Sequence, residues 1–234
     1  MKSIPFFEND YWRSMAIFQI LSHCEFELFV ENMSCSLHKS GSVLYKQDCL
    51  INGVFILISG IVKQVKYGPK GKEHILRFAK RGDVIGFRSN ITDEMACSTS
   101  IVVEDAVVCY LPGKLLSQLM QTNSNFGYYM IQQVCNEIEE TQKFILNIAQ
   151  KKVRERVADA LIHLMKRFEL DHDNYLKIPL SRRELASMVG TAPESTIRML
   201  ADFKREKLID LQGRSIQFLN VKKLTKIGEV SLKF

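Results

Sequence analysis

Residues 178–209 read IPLSRRELASMVGTAPESTIRMLADFKREKLI. Ser181 followed three residues later by Glu184 is a capping box. The serine oxygen accepts the N3 amide, and the glutamate reaches back to the cap amide. A short helix is predicted over 182–188, with Leu185, Ala186 and Val189 inward. Gly190 stops it, as a residue at ease in the left-handed conformation. Thr191 and Glu194 form a second box one residue later. Pro193 then falls at N2, where a missing amide removes little, because first-turn amides have no intrahelical partner. The second helix is predicted over 192–206, with Ile197, Leu200, Ala201 and Phe203 inward. Two short helices across a glycine-containing turn of about four residues make the helix-turn-helix pattern. After them, Leu208 to Leu211, the turn Gln212-Gly213-Arg214 and the run SIQFL make a tight hairpin, a wing with Arg214 at its tip.

In this pattern the second helix enters the DNA major groove, and its first turn lies closest to the base edges. Glu194, Ser195 and Arg198 are the predicted base readers. Arginine suits guanine O6 and N7, and glutamate accepts from the cytosine amino group. Thr191, Arg182, Arg183, Lys204, Arg205 and Arg214 are the predicted phosphate contacts. A helical pair with a merely solvated charged face would explain the two helices, but neither the wing nor the local charge.

That charge is unevenly placed. The 234-residue chain carries +6 overall, but residues 1–150 hold 14 Lys+Arg against 15 Asp+Glu, and residues 151–234 hold 18 against 11. A near-neutral module is joined to one that meets a polyanion. No apolar run approaches a membrane span of about 20 residues. The opening MKSIPFFENDYW has early acids and no apolar core, so it is not a secretory signal, and the expected location is cytoplasmic. No phosphate loop, helical metal-ligand pair or nucleophile elbow is present, so an enzyme is not expected.

Upstream the texture is different. Residues 12–33 suggest one or two short helices. From about 37 to 112 come short β-branched runs (SVLYK, GVFILI, GIVKQVKY, HILRFA, DVIGF, TSIVVED, AVVCYL). Turn signals separate them at Asn52-Gly53, Ser59-Gly60, Gly68 to Gly71 and Arg81-Gly82-Asp83. This is the pattern of an all-β barrel or sandwich, with GPKGK as a hairpin. Pro112 opens a short helix over 112–121, and a long helix follows residues 123–125. Its seam positions, Ile131, Val134, Ile138, Thr141, Ile145 and Ile148, with Thr141 the one polar member, alternate steps of three and four. A narrow heptad seam on an otherwise polar helix wants a partner helix, either a neighbour in the same fold or the same helix of a second subunit; the second is preferred because the β region before it already closes on itself. Lys151-Lys152 ends the seam as the linker and hinge, and a second amphipathic helix follows from Val153 to Phe168. The expected domains are 1–123, a sensor; 124–150, a dimerisation helix; and 151–234, a winged helix-turn-helix.

The six cysteines (Cys24, Cys35, Cys49, Cys97, Cys109 and Cys135) form no C-x-x-C pair. Wide spacing argues against a zinc knuckle or disulfide scaffold, and reduced thiols, several of them buried, are expected. A redox-active thiol is the other reading.

The layout resembles the Crp/Fnr superfamily of bacterial transcription regulators. The resemblance spans nearly the whole chain and rests on GVFILISGIVKQ (53–64), RGDVIGF (81–87), VEDAVVCYLP (103–112) and residues 180–209. It implies an α+β chain: a β-roll of the cyclic-nucleotide-binding type (a double-stranded β-helix or jelly roll), a long dimer helix and a winged helix-turn-helix. It also implies homodimers on near-palindromic double-stranded DNA, contact with RNA polymerase and a small-molecule effector. Glu194 and Arg198 match the family's recognition helix, whereas Pro193 replaces an arginine used by the cyclic-AMP-type members. In the sensor, Phe87 stands where those members carry a ribose-binding glutamate, and Ala96-Cys97 where they carry a phosphate-binding arginine. Cyclic AMP is therefore not the expected effector. Gly86, Phe87, Arg88, Ser98 and Thr99 mark the expected effector pocket. Cys24 and Cys35 have no close third neighbour, so a four-cysteine iron–sulfur cluster is not expected either. Haem stays open, with no ligand assigned among His23, His38, His74 and the methionines. The rival function is a redox or small-molecule sensor acting mainly through protein contacts, told apart by the oxidation state of Cys97 and Cys109.

Overall fold

The computed structural model describes residues 14–229, so the reading of the first twelve residues as no signal lies outside them. The chain divides into two compact units that meet between Glu137 and Ile138.

The first unit begins with two short helices, α1 (Ala16–Gln19) and α2 (His23–Asn32). Ser22 and Glu25 cap α2 with a complete box. Six strands follow: β1 (Ser34–His38), β2 (Val43–Tyr45), β3 (Gly53–Tyr67), β4 (Glu73–Ala79), β5 (Val84–Ile85) and β6 (Thr99–Pro112). They form one antiparallel sheet in the order β1-β6-β3-β4, with β2 on β6 and β5 on β3. GPKGK does join β3 to β4 as a hairpin, through a 3-10 turn at Pro69–Gly71.

Several expected boundaries move. Ser59-Gly60 is not a turn between strands but an irregularity inside β3, where the pairing with β6 shifts register. Gly60 has φ +82, and a Cβ there would lie 2.5 Å from the Ala106 Cα and the Asp105 oxygen, so only glycine fits. The run DVIGF is a strand for two residues only. Gly86, at φ +84, then starts helix α3 (Phe87–Thr92). Pro112 ends β6 and caps α4 (Gly113–Thr122) rather than opening it.

The strands bury alternate side chains on two sides. One cluster fills the roll: Tyr45, Leu57, Val62, Ala79, Ile85, Val102, Ala106 and Val108. The other joins the sheet to the helices: Phe29, Met33, Val54, Ile56, Cys109, Leu111, Leu116, Phe126 and Met130. The last two belong to α5 (Ser124–Gln150), the predicted long helix.

Reduced cysteines are a correction for one pair. Cys35 and Cys109 stand opposite each other in the β1–β6 register and are joined by a disulfide. Of the others, Cys24, Cys49 and Cys135 are exposed and Cys97 is half-buried, so none of the free thiols is a core residue.

The second unit continues α5 from Ile138 and adds α6 (Val153–Phe168), α7 (Arg182–Val189), α8 (Pro193–Arg205), a hairpin of β7 (Ile209–Gln212) and β8 (Ser215–Phe218), and α9 (Val221–Glu229). Its core gathers Val157, Leu161, Leu164, Leu185, Leu200, Phe203, Ile209, Ile216 and Leu224, one face from each element.

Candidate nucleic-acid interface

Helices α7 and α8 and the β7–β8 hairpin carry the predicted DNA residues. Helix α7 starts as its sequence demands: Ser181 Oγ accepts from the Glu184 amide at 3.1 Å, and Glu184 accepts from the Ser181 amide at 2.9 Å. Gly190 ends it at φ +69, its amide donating to the Ala186 and Ser187 carbonyls. The second box does not form. Helix α8 begins at Pro193, with Ala192 as an N-cap that offers no side-chain acceptor. Proline thus sits at N1, the position its fixed φ suits best. Thr191 is left outside the helix, its amide donating to Ala186 O at 3.0 Å.

The inward and outward faces of α8 also differ from expectation. Thr196, Leu200 and Phe203 are buried, while Ile197 is 51% exposed and Ala201 is exposed. Residues 196, 200 and 203, spaced four and three apart, lie on one side of the helix and face the core. Glu194, Ile197, Arg198 and Ala201, spaced three and four apart, therefore share one outer face. Ser195 lies half-buried on its flank. Ile197 is the base-reading candidate that its apolar character hid, since an apolar side chain on this face can meet a thymine methyl group.

The rest of the unit holds α8 at its far end. Arg154 of α6 lies 4.7 Å above the Phe203 ring and grips Glu206 with two bonds of 2.7 and 2.9 Å. The hairpin turns at Gly213-Arg214, as expected, with Gln212 paired to Ser215.

The predicted phosphate contacts sort by their partners. Arg183 is exposed, with no carboxylate against it among the described residues. Arg182 donates to the Gly213 carbonyl at 2.9 Å, bracing the wing turn, and its burial lowers its pKa. Arg214 pairs with Glu184 at 3.1 Å, Arg205 with Asp202 at 2.5 Å, and Lys204 with Asp210 at 2.6 Å. Bonding from Lys204 holds the Asp210 carboxyl below the usual carboxylate range. A guanidinium has five donors, so these pairs aim the arginines and still leave N–H groups for phosphate.

The seam residues Ile131, Val134, Ile138, Thr141, Ile145 and Ile148 are all exposed, Ile145 by 61% and Ile131 by 58%. Together they make a mostly apolar, solvent-exposed stripe along the helix.

The sensor-pocket residues are dispersed in role. Phe87 is buried in the core, with no acceptor to offer a ribose. Arg88 is exposed and reaches Glu94 at 3.5 Å. Ser98 and Thr99 are buried, and Thr99 Oγ1 accepts from the Gln47 amide at 2.9 Å. The sequence reading missed a different polar cluster inside the roll. Gln64 donates to the Tyr45 hydroxyl at 2.9 Å and accepts from Arg77 Nε at 2.5 Å. Arg77 also pairs with Glu137 of α5 at 2.7 Å. Burial pushes the Tyr45 phenol up, so it stays protonated as a donor. Among the described residues no helix is long and apolar enough to cross a membrane.

These features agree with known proteins. Residues 155–227 match the Crp-like helix-turn-helix domain, and residues 37–123 match the cyclic nucleotide-binding domain. The chain is 26% identical over 195 residues to the fumarate and nitrate reduction regulatory protein of Vibrio cholerae, covering 82% of this chain and 78% of that protein. It is 27% identical over 184 residues to the transcriptional activator protein FnrA of Stutzerimonas stutzeri, covering 78% and 75%. In fold it is similar to FixK2 from Bradyrhizobium japonicum (TM-score 0.76, 20% identity, 83% of this chain and 96% of that one). It is similar too to CLP, a c-di-GMP responsive global regulator from Xanthomonas campestris (TM-score 0.74, 19% identity, 84% and 99%).

Proposed function

We infer that this chain, which belongs to the Crp/Fnr family of helix-turn-helix transcription regulators, acts as a homodimer on near-palindromic DNA and answers to an effector other than cyclic AMP. One observation carries the DNA reading. The outer face of α8 presents Glu194, Ile197 and Arg198 together, in the same unit as a wing whose turn is braced by Arg182 and whose Arg214 is paired with Glu184. Arg198 would take a guanine edge, Glu194 a cytosine amino group and Ile197 a thymine methyl. Arg183, Thr191 and the wing would take phosphates. The exposed seam from Ile131 to Ile148 supports self-pairing, which would set two recognition helices on half-sites about 34 Å apart. Contact with RNA polymerase belongs to the same reading, as does a cytoplasmic location.

The effector half of the proposal rests on Phe87. A cyclic nucleotide needs an acceptor for its ribose and a cation for its phosphate. Phe87 lies in the core, and Ala96 and Cys97 carry no charge. The Tyr45–Gln64–Arg77 cluster is the better-equipped place for a ligand, offering a phenol, an amide and a guanidinium.

The test is an in vitro selection of DNA sequences with the purified chain, followed by gel shifts at two salt concentrations. The expected result is a two-fold symmetric motif. Weak, strongly salt-sensitive binding without sequence preference would remove the specific reading. Sedimentation should report a dimer, and calorimetry with cyclic AMP should report no binding.

A further inference from the structure

The disulfide of the sensor unit is at odds with the setting proposed above. A regulator of chromosomal DNA works where thiols are kept reduced, and disulfides found there are usually transient and redox-sensing. Cys35 and Cys109 are 74 residues apart, yet they face each other across two antiparallel strands, with Cα atoms 4.0 Å apart. The two sulfurs need no rearrangement of the sheet to meet or to part.

Their surroundings differ. β1 is an edge strand, paired only to β6, and Cys35 is half-buried on it. Cys109 is fully buried in the cluster that includes Phe29 and Met33 of α2, Leu116 of α4, and Phe126 and Met130 of α5. Cys35 packs against that same cluster. Of the two residues, only Cys35 is partly open to solvent. The other lies in the same buried cluster as the side chains that seat the first turns of the long helix.

We propose that Cys35 and Cys109 are a reversible dithiol–disulfide pair that takes a peroxide, with Cys35 as the attacking sulfur and Cys109 as the resolving one. The proposal goes beyond the DNA reading but uses it for one of its readouts. The Cys35 thiolate attacks a peroxide oxygen, and the O–O bond breaks. For hydrogen peroxide, hydroxide leaves and takes up the proton lost from the thiol, giving water and Cys35 sulfenic acid. The Cys109 sulfur then attacks the Cys35 sulfur, the S–O bond breaks, and a second water leaves with the Cys109 proton. Two thiols lose two electrons in all, and one peroxide is reduced to two waters. A dithiol reductant reverses the bond through a mixed disulfide. Oxidation ties β1 to β6 covalently and fixes the packing around Phe126 and Met130. Reduction leaves that edge held by backbone pairing and the packing of Cys35, without a covalent tie.

The experiment uses the full chain, reduced with dithiothreitol under argon and then treated with hydrogen peroxide. Remaining thiols are blocked with N-ethylmaleimide and the protein is digested without reductant for mass spectrometry. A Cys35–Cys109 linked peptide should appear with peroxide, and a glutathione buffer of cytosolic composition should remove it. In Cys109→Ser, dimedone should trap Cys35 as the sulfenic acid. Peroxide that modifies only the exposed Cys24, Cys49 or Cys135 would overturn the proposal. So would a bridge that withstands the glutathione buffer in the folded protein, which would make it a fixed crosslink. In gel shifts on the selected DNA site, the reduced and oxidised forms should differ about fivefold or more in affinity, and Cys35→Ser should remove the difference. Equal affinities would overturn the link to DNA. Absence of specific binding in both states would count against the DNA reading alone, because the peptide mapping decides the thiol chemistry independently.

Discussion

Replacing Gly190 with alanine tests how the helix-turn-helix is held. Gly190 lies at φ +69, and a Cβ built there comes 2.7 Å from Ile148 Cδ1. An L-residue in the left-handed region costs about 1–2 kcal/mol. Ile148 must leave its rotamer well to make room, at about 0.5–1.5 kcal/mol. Alanine's stiffer unfolded chain returns about 0.4–1 kcal/mol. The net is about 2 kcal/mol of destabilisation, or about 25-fold in an opening equilibrium. Hydrogen exchange on peptides from α7 and α8 reads this locally, without assuming that the two units unfold together. Gly213→Ala is the internal control. It has φ +56 but nothing within 4 Å of its Cβ, so it should show the backbone cost alone. The double variant Gly190→Ala, Ile148→Ala should recover the steric part, about 1 kcal/mol. If Gly190→Ala exchanged within about twofold of the parent protein, neither the left-handed turn nor the Ile148 contact would be holding the motif.

Other perturbations separate the parts of the proposed function. Arg198→Ala should flatten preference at one base pair per half-site by about 1–3 kcal/mol, while Arg183→Ala should weaken all sequences alike and reduce the salt slope by about one; the reverse pattern in binding selections would exchange their roles. Ile138→Glu places a charge in the middle of the seam, at a position 50% exposed in the single chain. It should yield a folded monomer by sedimentation, and a persistent dimer would move the interface elsewhere. The Glu25 carboxyl is held below its ordinary value by the Ser22 amide first, then by the Ser22 hydroxyl, with Asn123 adding to it. A depressed carboxylate contributes fully above its unfolded pKa of about 4.3 and loses that contribution as pH falls through the folded value. Glu25→Gln should therefore lower stability near neutrality and shallow the acid side of the thermal stability profile, with little change at low pH, where the parent carboxyl is already protonated.

Local chemistry was legible from the sequence, and long-range pairing was not. The Ser181–Glu184 box needs only four residues and formed as expected. The Thr191 box failed because two local rules compete over Pro193, and the preference of proline for N1 won. Ile197 points outward, against the ordinary rule that isoleucine goes inside, because the core takes the Thr196, Leu200 and Phe203 side of the helix. β1 was missed in part because SCSLH shows no apolar alternation, and none of its residues is fully buried in the fold. The strand exists through its pairing with β6, some 70 residues away, and so does the Cys35–Cys109 bridge. Likewise Gln64 and Arg77 looked like ordinary polar positions on two alternating strands. Only the β3–β4 register sets them opposite each other.

The junction between α5 and α6 joins the seam to the recognition helix, and it is not a loose linker. Lys151 is buried, its amide bonds to Asn147 O at 2.9 Å, and its ammonium lies 3.4 Å from Asp159. The other Asp159 oxygen accepts from Asn147 Nδ2 at 2.7 Å. One carboxylate of α6 thus holds both the last turn of α5 and the residue after it. The seam positions from Ile138 to Ile148 fall in the same compact unit as α8, so a dimer formed through them would present its two recognition helices at a fixed spacing. Asp159→Asn keeps the shape but leaves the Lys151 ammonium buried without its counter-charge. Because Asp159 is 36% exposed, water offsets part of the loss, and the cost should be about 1–3 kcal/mol. Lys151→Met combined with Asp159→Leu removes both charges and should recover most of that stability. The functional readout is different: the double variant should stay folded and dimeric, yet lose discrimination between operators whose half-site spacing differs by one base pair, since the spacing would no longer be fixed at this latch. Unchanged spacing preference in that variant would mean that the geometry is set by the packing of Gly190 on Ile148 instead.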